Sequence, residues 1–398
     1  MATLVYLDYI DETLFDPLDL SDWRCRPAAS EEKLLDQILA GSVDAVLLRV
    51  EGDNLKALSF ARKIADARPD LVRILLSWSP SARYITEAND VVDTALSAQC
   101  DPAQVSHAIE RAQNVKSRIY ARKFDSVSAF LNDIPPLPAK IDALNAMIDS
   151  RINDNAAMVA PLFKGQLEYM KAVMALVNNP LFGSKNLVFS AADAVKLVGL
   201  RTFRDLCILV HVQNILPQPE GFDGFSFDAS MQRSLKCGKF AEQVAKTVAS
   251  DRVHSISACA AGFFLDIGGR ALVSLDPQRY FHVMERAAVL RQPIYAVEKL
   301  EYNLTRGEMG AAILNRWGVS PRTVRAVLYH HVPQASDDTS YTALAAVHVS
   351  DALLKGVKNK ALCNLAGRLS TGYLDQIGEM DRRAHWEELA EQFAERYP

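Results

Sequence analysis

The chain has 398 residues, close to half of them apolar and about a quarter charged, which is too long for one ordinary core and implies two or three globular domains. A formal net charge of -4 gives no reason to expect affinity for nucleic acid or an anionic membrane surface. No run of about eighteen apolar residues stands out, so no membrane span is predicted.

The opening MATLVYLDYIDE carries acids where a secretory signal would carry lysine or arginine. TLVYLDY then reads as a short strand ending in an acid. SEEKLLDQILAG reads as an amphipathic helix opened by Ser30 and closed by Gly41. VDAVLLRV is a buried strand, NLKALSFARKIADARPD a helix, VRILLSW a strand, and DVVDTALS holds a further short strand. Strand and helix in alternation predict a parallel sheet covered on both faces.

Residues 102–131 read as one long helix. Val105, Ala108, Ala112, Val115 and Ile119 fall at steps of three and four, a seam suited either to its own domain or to a second copy of the chain. IPPLP stops that helix, because proline has no amide to donate. Beyond it the strand signals give way to helix-period runs as far as PQASDDTS, and further helices follow. The six cysteines (Cys25, Cys100, Cys207, Cys237, Cys259, Cys363) form no CxxC pair and read as reduced thiols of a cytoplasmic protein.

The βα order of residues 1–120, with an acid closing the first strand, resembles a bacterial response-regulator receiver, a flavodoxin-like domain. That resemblance implies an acidic pair holding Mg²⁺, a phosphoacceptor aspartate after the third strand, a hydroxyl after the fourth and a late lysine. Here Asp8 survives from the acidic pair and Tyr9 takes its second place. Arg49 stands at the acceptor position in AVLLRV, Ser77 at the hydroxyl position and Ala98 at the lysine position. An arginine accepts no phosphoryl group, so the expectation is a pseudo-receiver with Arg49 ion-paired to Asp8.

The second half is more specific. IPPLPAKIDALNAMI, AVMALVNNPLFG, VFSAADAVKLVGLRTFRDLCIL, QRSLKCGKFAEQVA, GFFLDIGG, TRGEMGAAILNRWGVSP, VLYHHVP and VHVSDALL occur in order across residues 132–355. Together they resemble an HDOD domain, an all-helical relative of the HD metal phosphohydrolases found in bacterial signalling; residues 356–398 remain as a helical extension. Carried over, the ligand positions of an active HD site fall on Arg233, Leu265, Asp266, Arg306, His330, His331 and Asp351. Three of these are Arg, Leu and Arg. Leucine has no lone pair, and guanidinium repels a divalent cation while pairing with carboxylates. The expectation is therefore that Arg233 or Arg306 reaches Asp266 or Asp351, with no bound metal or other cofactor. His107, His211, His254, His282 and His385 have no spacing partner and read as structural.

The leading functional expectation is a non-enzymatic signalling protein acting by protein contact. The resemblance implies partners such as histidine kinases, diguanylate cyclases or phosphodiesterases, with no nucleic acid, no membrane insertion, and the linker helix as a homodimer seam. The alternative is a sensor binding a nucleotide or cyclic dinucleotide between Arg233, Arg306 and the paired histidines. A residual metal-dependent phosphohydrolase ranks third.

Overall fold

The computed structural model describes residues 2–9, 20, 23–120, 125–149, 156–184, 186–248, 252–354 and 368–398; Cys363 lies outside them. The chain divides into two compact units, Met1–Arg122 with Leu314–Arg325, and Lys123–Ile313 with Ala326–Pro398. The segment 314–325, expected from the sequence to belong with the helical domain, is thus counted with the first unit.

The first unit runs β1 (Ala2–Asp8), β2 (Trp23–Pro27), α1 (Glu31–Leu39), β3 (Ala45–Glu51), α2 (Leu55–Ala67), β4 (Val72–Trp78), α3 (Ala82–Ala88), β5 (Thr94–Ser97) and α4 (Pro102–Tyr120). All pairings are parallel and the strand order is β2-β1-β3-β4-β5, the doubly wound order with its switch point between β1 and β3. β3 and β4 each bury six consecutive residues, as strands covered on both faces must. Ser30 caps α1 as its sequence position predicts, its side chain accepting from the Lys33 amide at 3.2 Å.

One expectation needs correction here. WRCRP forms a fifth strand, β2, which the sequence did not reveal because its alternate residues are charged and it lies at the sheet edge. Of the expected helix over 102–131, the described residues contain α4 and α5 (Asp125–Asp133), with 121–124 outside them. The seam is also spoken for: Val105, Ala108 and Ala112 sit in one apolar cluster with Leu4, Leu47 and Ile74 of the sheet, and Ile119 is buried. Those three residues are covered by their own sheet, whereas Val115 of the same seam is half-buried.

The second unit continues through α6 (Ala139–Asp149), α7 (Leu167–Val177), α8 (Ala191–Val198), α9 (Leu200–Ile215), α10 (Phe227–Val248), α11 (Arg252–Phe263), α12 (Ile267–Leu275), α13 (Pro277–Leu290) and α14 (Ile294–Tyr302). Next come α15 (Arg306–Arg316) and α16 (Pro321–Tyr329), both partly assigned to the first unit, and then α17 (Ala343–Leu353), α18 (Thr371–Gln376) and α19 (Arg383–Arg396). The C-terminal extension belongs to this core: Trp386 is fully buried, and the Phe393 ring lies 5.3 Å from that of Phe240.

α10, α11 and α17 form the centre of the unit, and glycines let its helices meet. A methyl added at Gly262 would overlap the backbone of Gly238, and one at Gly268 would overlap the Arg306 carbonyl and the Gly310 amide. One apolar stretch escaped the sequence scan. His254–Leu275 has the length and a mean hydropathy of 1.4 that a span would need, yet 89% of that window is buried inside the fold, as core helices are.

Candidate functional site

At the switch point of the sheet, Asp8 closes β1 directly opposite Arg49 of β3. Arg49 donates to both carboxylate oxygens, Nε to Oδ1 at 2.5 Å and Nη2 to Oδ2 at 2.6 Å, a bidentate fork. Its guanidinium lies 4.4 Å over the Tyr6 ring. The cation therefore occupies the crevice where doubly wound sheets place ligands. Tyr9 turns away, its hydroxyl donating to Glu31 at 2.8 Å, and burial raises its pKa well above the ordinary value. Ser77 is fully buried and donates to the Gly52 carbonyl at 2.9 Å, so its hydroxyl serves the backbone rather than an open site. Ala98 packs against the apolar cluster under α4.

In the helical unit, the two arginines expected from the sequence converge on the two acids. Arg233, from the middle of α10, donates to Asp351 of α17, and its Nη1 lies 3.7 Å from Asp266. Arg306, at the start of α15, lies 3.8 Å from the other oxygen of Asp266. Asp266 ends the turn between α11 and α12 and also accepts from Ser230 at 3.0 Å and Ser234 at 3.3 Å, one turn apart on α10. Leu265, in the position of the missing histidine, is buried in the apolar core.

The main partner of Arg306 is one the sequence reading missed. Glu298 of α14, with no exposed surface, accepts from Arg306 Nε and from its backbone amide, both at 2.8 Å. Tyr280 closes the network, donating to Glu298 at 2.7 Å and accepting from Arg306 at 2.5 Å. Burial raises the Tyr280 pKa well above normal, so the phenol stays protonated and can donate. The one signal for Glu298 was an acid directly after the apolar run IYAV.

Three histidines are buried beside this cluster, where burial favours the neutral ring. His330 Nδ1 lies 2.7 Å from the Val327 carbonyl, so it carries the proton. The His331 ring stacks on Tyr295 at 4.7 Å and its Nε2 lies 3.6 Å from Asp351. His348, which the sequence reading passed over three residues before Asp351, donates from Nδ1 to the His330 carbonyl and accepts from the Ser370 amide, at 2.7 and 2.8 Å. Burial depresses the pKa of all three, His331 furthest because His330 adds to the effect. Burial alone would push the Asp351 carboxyl up, but Arg233 followed by the histidines overcomes it and holds the group well below the usual range.

His330, His331 and Asp351 place three donor atoms within 4.8 Å of one another, the number a catalytic zinc site takes from the protein. Charge decides against a divalent ion here. Arg233 already donates to Asp351, and an ion bound by that carboxylate would face a guanidinium in a space from which water is excluded. These residues do not fit a metal while Arg233 keeps its place. The terminal nitrogens of Arg233 and Arg306 approach internal carboxylates and Tyr280.

Residues 134–333 match the HDOD domain family. Among solved structures, a protein from Marinobacter aquaeolei, assigned provisionally to signal transduction, aligns with a TM-score of 0.51 and 16% identity over 86% of this chain and 82% of its own. An HDOD domain protein of unknown function from Geobacter sulfurreducens aligns with a TM-score of 0.49 and 16% identity, covering 70% of this chain and 99% of its own. An uncharacterized protein of Treponema pallidum is 23% identical over 220 residues, 54% of this chain, and the match spans 40% of that relative's length.

Proposed function

The chain belongs to the HDOD family; from that premise we propose a non-catalytic regulatory protein that acts by contact with other signalling proteins. The observation that carries this reading is the position of Arg233, with its guanidinium on Asp351 and near Asp266 where an HD enzyme would hold metal. A metal-activated water is the step on which HD hydrolysis depends, and a fixed internal cation removes both the charge and the room for it. In the α/β unit, Arg49 on Asp8 supports the parallel reading of a pseudo-receiver. Neither site then turns over substrate, and what remains for each unit is to present a surface. The partners proposed are histidine kinases, diguanylate cyclases or phosphodiesterases.

The test is metal content and turnover together. After incubation with Mn²⁺ or Fe²⁺ and desalting, the protein should retain no stoichiometric metal and cleave no phosphodiester. Tight metal binding, with turnover that Asp351→Asn abolishes, would overturn the proposal. Acetyl phosphate with Mg²⁺ examines the α/β unit, where a stable aspartyl phosphate would contradict a pseudo-receiver. Capture of partners from the native extract, repeated with Arg49 and Asp266 altered, then asks which unit presents the surface.

A further inference from the structure

A small recess lies in the first unit, towards the opposite end of the parallel strands from Arg49. Arg73, the second residue of β4, stands beside Val46 of β3, whereas Arg49 stands beside Leu76. The recess has a volume of about 30 Å³, and its walls include Arg62, Asp66, Arg73, Asp90, Val91 and Val319, all within that unit. These side chains supply two guanidiniums, two carboxylates and short apolar surfaces.

Two of the charged groups keep unused capacity, and they are of opposite sign. Arg73 is only 3% exposed. Its Nη1 donates to the Leu71 carbonyl at 3.2 Å and its Nη2 lies 3.8 Å from Asp93, but its Nε is buried without an acceptor among the described residues. The Asp93 carboxylate is already engaged, accepting from the Arg73 amide at 2.8 Å and meeting Lys116 at 3.2 Å. A buried donor left unsatisfied costs free energy that a suitable acceptor recovers. Asp66, in the last turn of α2, is exposed and accepts no hydrogen bond among the described residues. It lines the same recess as Arg73, yet the two act on each other only from a distance.

We infer that this recess binds a small zwitterion, an α-amino acid as compact as glycine. The carboxylate accepts from the buried Arg73, and the ammonium donates to Asp66 where the recess meets solvent. A volume of about 30 Å³ takes about two water-sized groups, so the carboxylate fills it and the remainder of the ligand lies at the mouth. A simple anion would satisfy Arg73 but face the carboxylates of Asp66 and Asp90, and a simple cation would face the arginines. A ligand carrying both charges matches both walls.

The experiment titrates the full chain with glycine by calorimetry at constant ionic strength, with acetate and methylammonium as the two halves of the ligand. Saturable glycine binding is expected with a Kd of about 1 mM, and each half should bind at least about tenfold more weakly. Asp66→Asn, at an exposed position, should weaken glycine about tenfold and leave acetate unweakened, because it removes only the partner of the ammonium. Arg73→Lys should weaken glycine and acetate together, since lysine keeps the charge without the planar fork. If Arg73→Lys does not fold, Asp66→Asn decides the matter through the ratio of glycine to acetate affinity. No glycine binding by the unaltered chain, acetate binding as tightly as glycine, or glycine binding indifferent to Asp66 would each overturn the inference.

Discussion

Arg49 in the sheet and Arg233 in the helical unit each set a guanidinium on an aspartate, but in very different surroundings. The Asp8 side chain keeps 22% of its surface exposed, and a single fork accounts for the pair. Asp351 keeps 1%, and its partner Arg233 also approaches Asp266, which in turn faces Arg306 and, through it, Glu298. The comparison teaches that one kind of substitution has two consequences. At the sheet, Arg49 is itself only 4% exposed, so water can take over the charge left behind only when the partly exposed Asp8 is the partner that remains. In a closed core the remaining charge has nowhere to go, so the residues become interdependent.

The largest effect should come from breaking the closed site. Asp351→Asn leaves Arg233 buried beside a neutral group and should cost about 3–5 kcal/mol in denaturant unfolding. A loss no greater than that of Arg49→Gln, which leaves the partly exposed Asp8, would erase the contrast. The double change Arg233→Met with Asp351→Leu sharpens it, because replacing a whole buried pair by apolar side chains should cost less than removing one partner.

Gly268→Ala should cost about 3 kcal/mol, since the methyl would press on the α15 backbone and displace Arg306 from Glu298. Gly269→Ala is the matched control, because a methyl there would meet the Arg306 guanidinium at an ordinary 3.6 Å and should cost far less.

Acid should separate the units next. His330, His331 and His348 have folded pKa values below the ordinary value of about 6.5, so the unfolded chain takes up protons first as pH falls. Their contribution is intact above about pH 6.5 and declines below it. Asp351, depressed by Arg233, adds a second loss only as pH falls below the unfolded carboxylate value of about 3.9. Replacing His348 by Gln should shrink the upper step in a pH series of melting temperatures; an unchanged step would show that His348 does not contribute. Smallest is Arg49→Gln, which leaves the charge on the partly exposed Asp8, at about 1 kcal/mol, detectable at low salt and reduced at high salt.

Some of this was legible residue by residue. Ser30 marked its helix, the alternation up to Ser97 implied the parallel sheet, and the ordered motifs placed Arg233, Asp266, Arg306 and Asp351 at one site. Other residues were hidden for physical reasons. β2 is too short and too charged to read as a strand without its neighbour β1. Ser230 is an ordinary serine until α10 turns it to the same side as Ser234, and His348 looks like one more apolar-helix histidine until Ser370 returns to it. The seam of α4 carried a true periodicity, but periodicity names a buried face without naming what buries it.

By itself the sequence determined most of the element types, the family and which kinds of atom stand at the candidate site, because each depends on what a side chain carries: leucine has no lone pair and arginine no acceptor. The tertiary structure alone decided the pairing. Glu298 rather than Asp266 holds Arg306 most closely, Arg233 closes on Asp351, and the Arg270 guanidinium lies over the Phe227 ring. Such choices turn on a few ångströms between helices far apart in the chain, where burial magnifies each difference in distance and no local pattern records it.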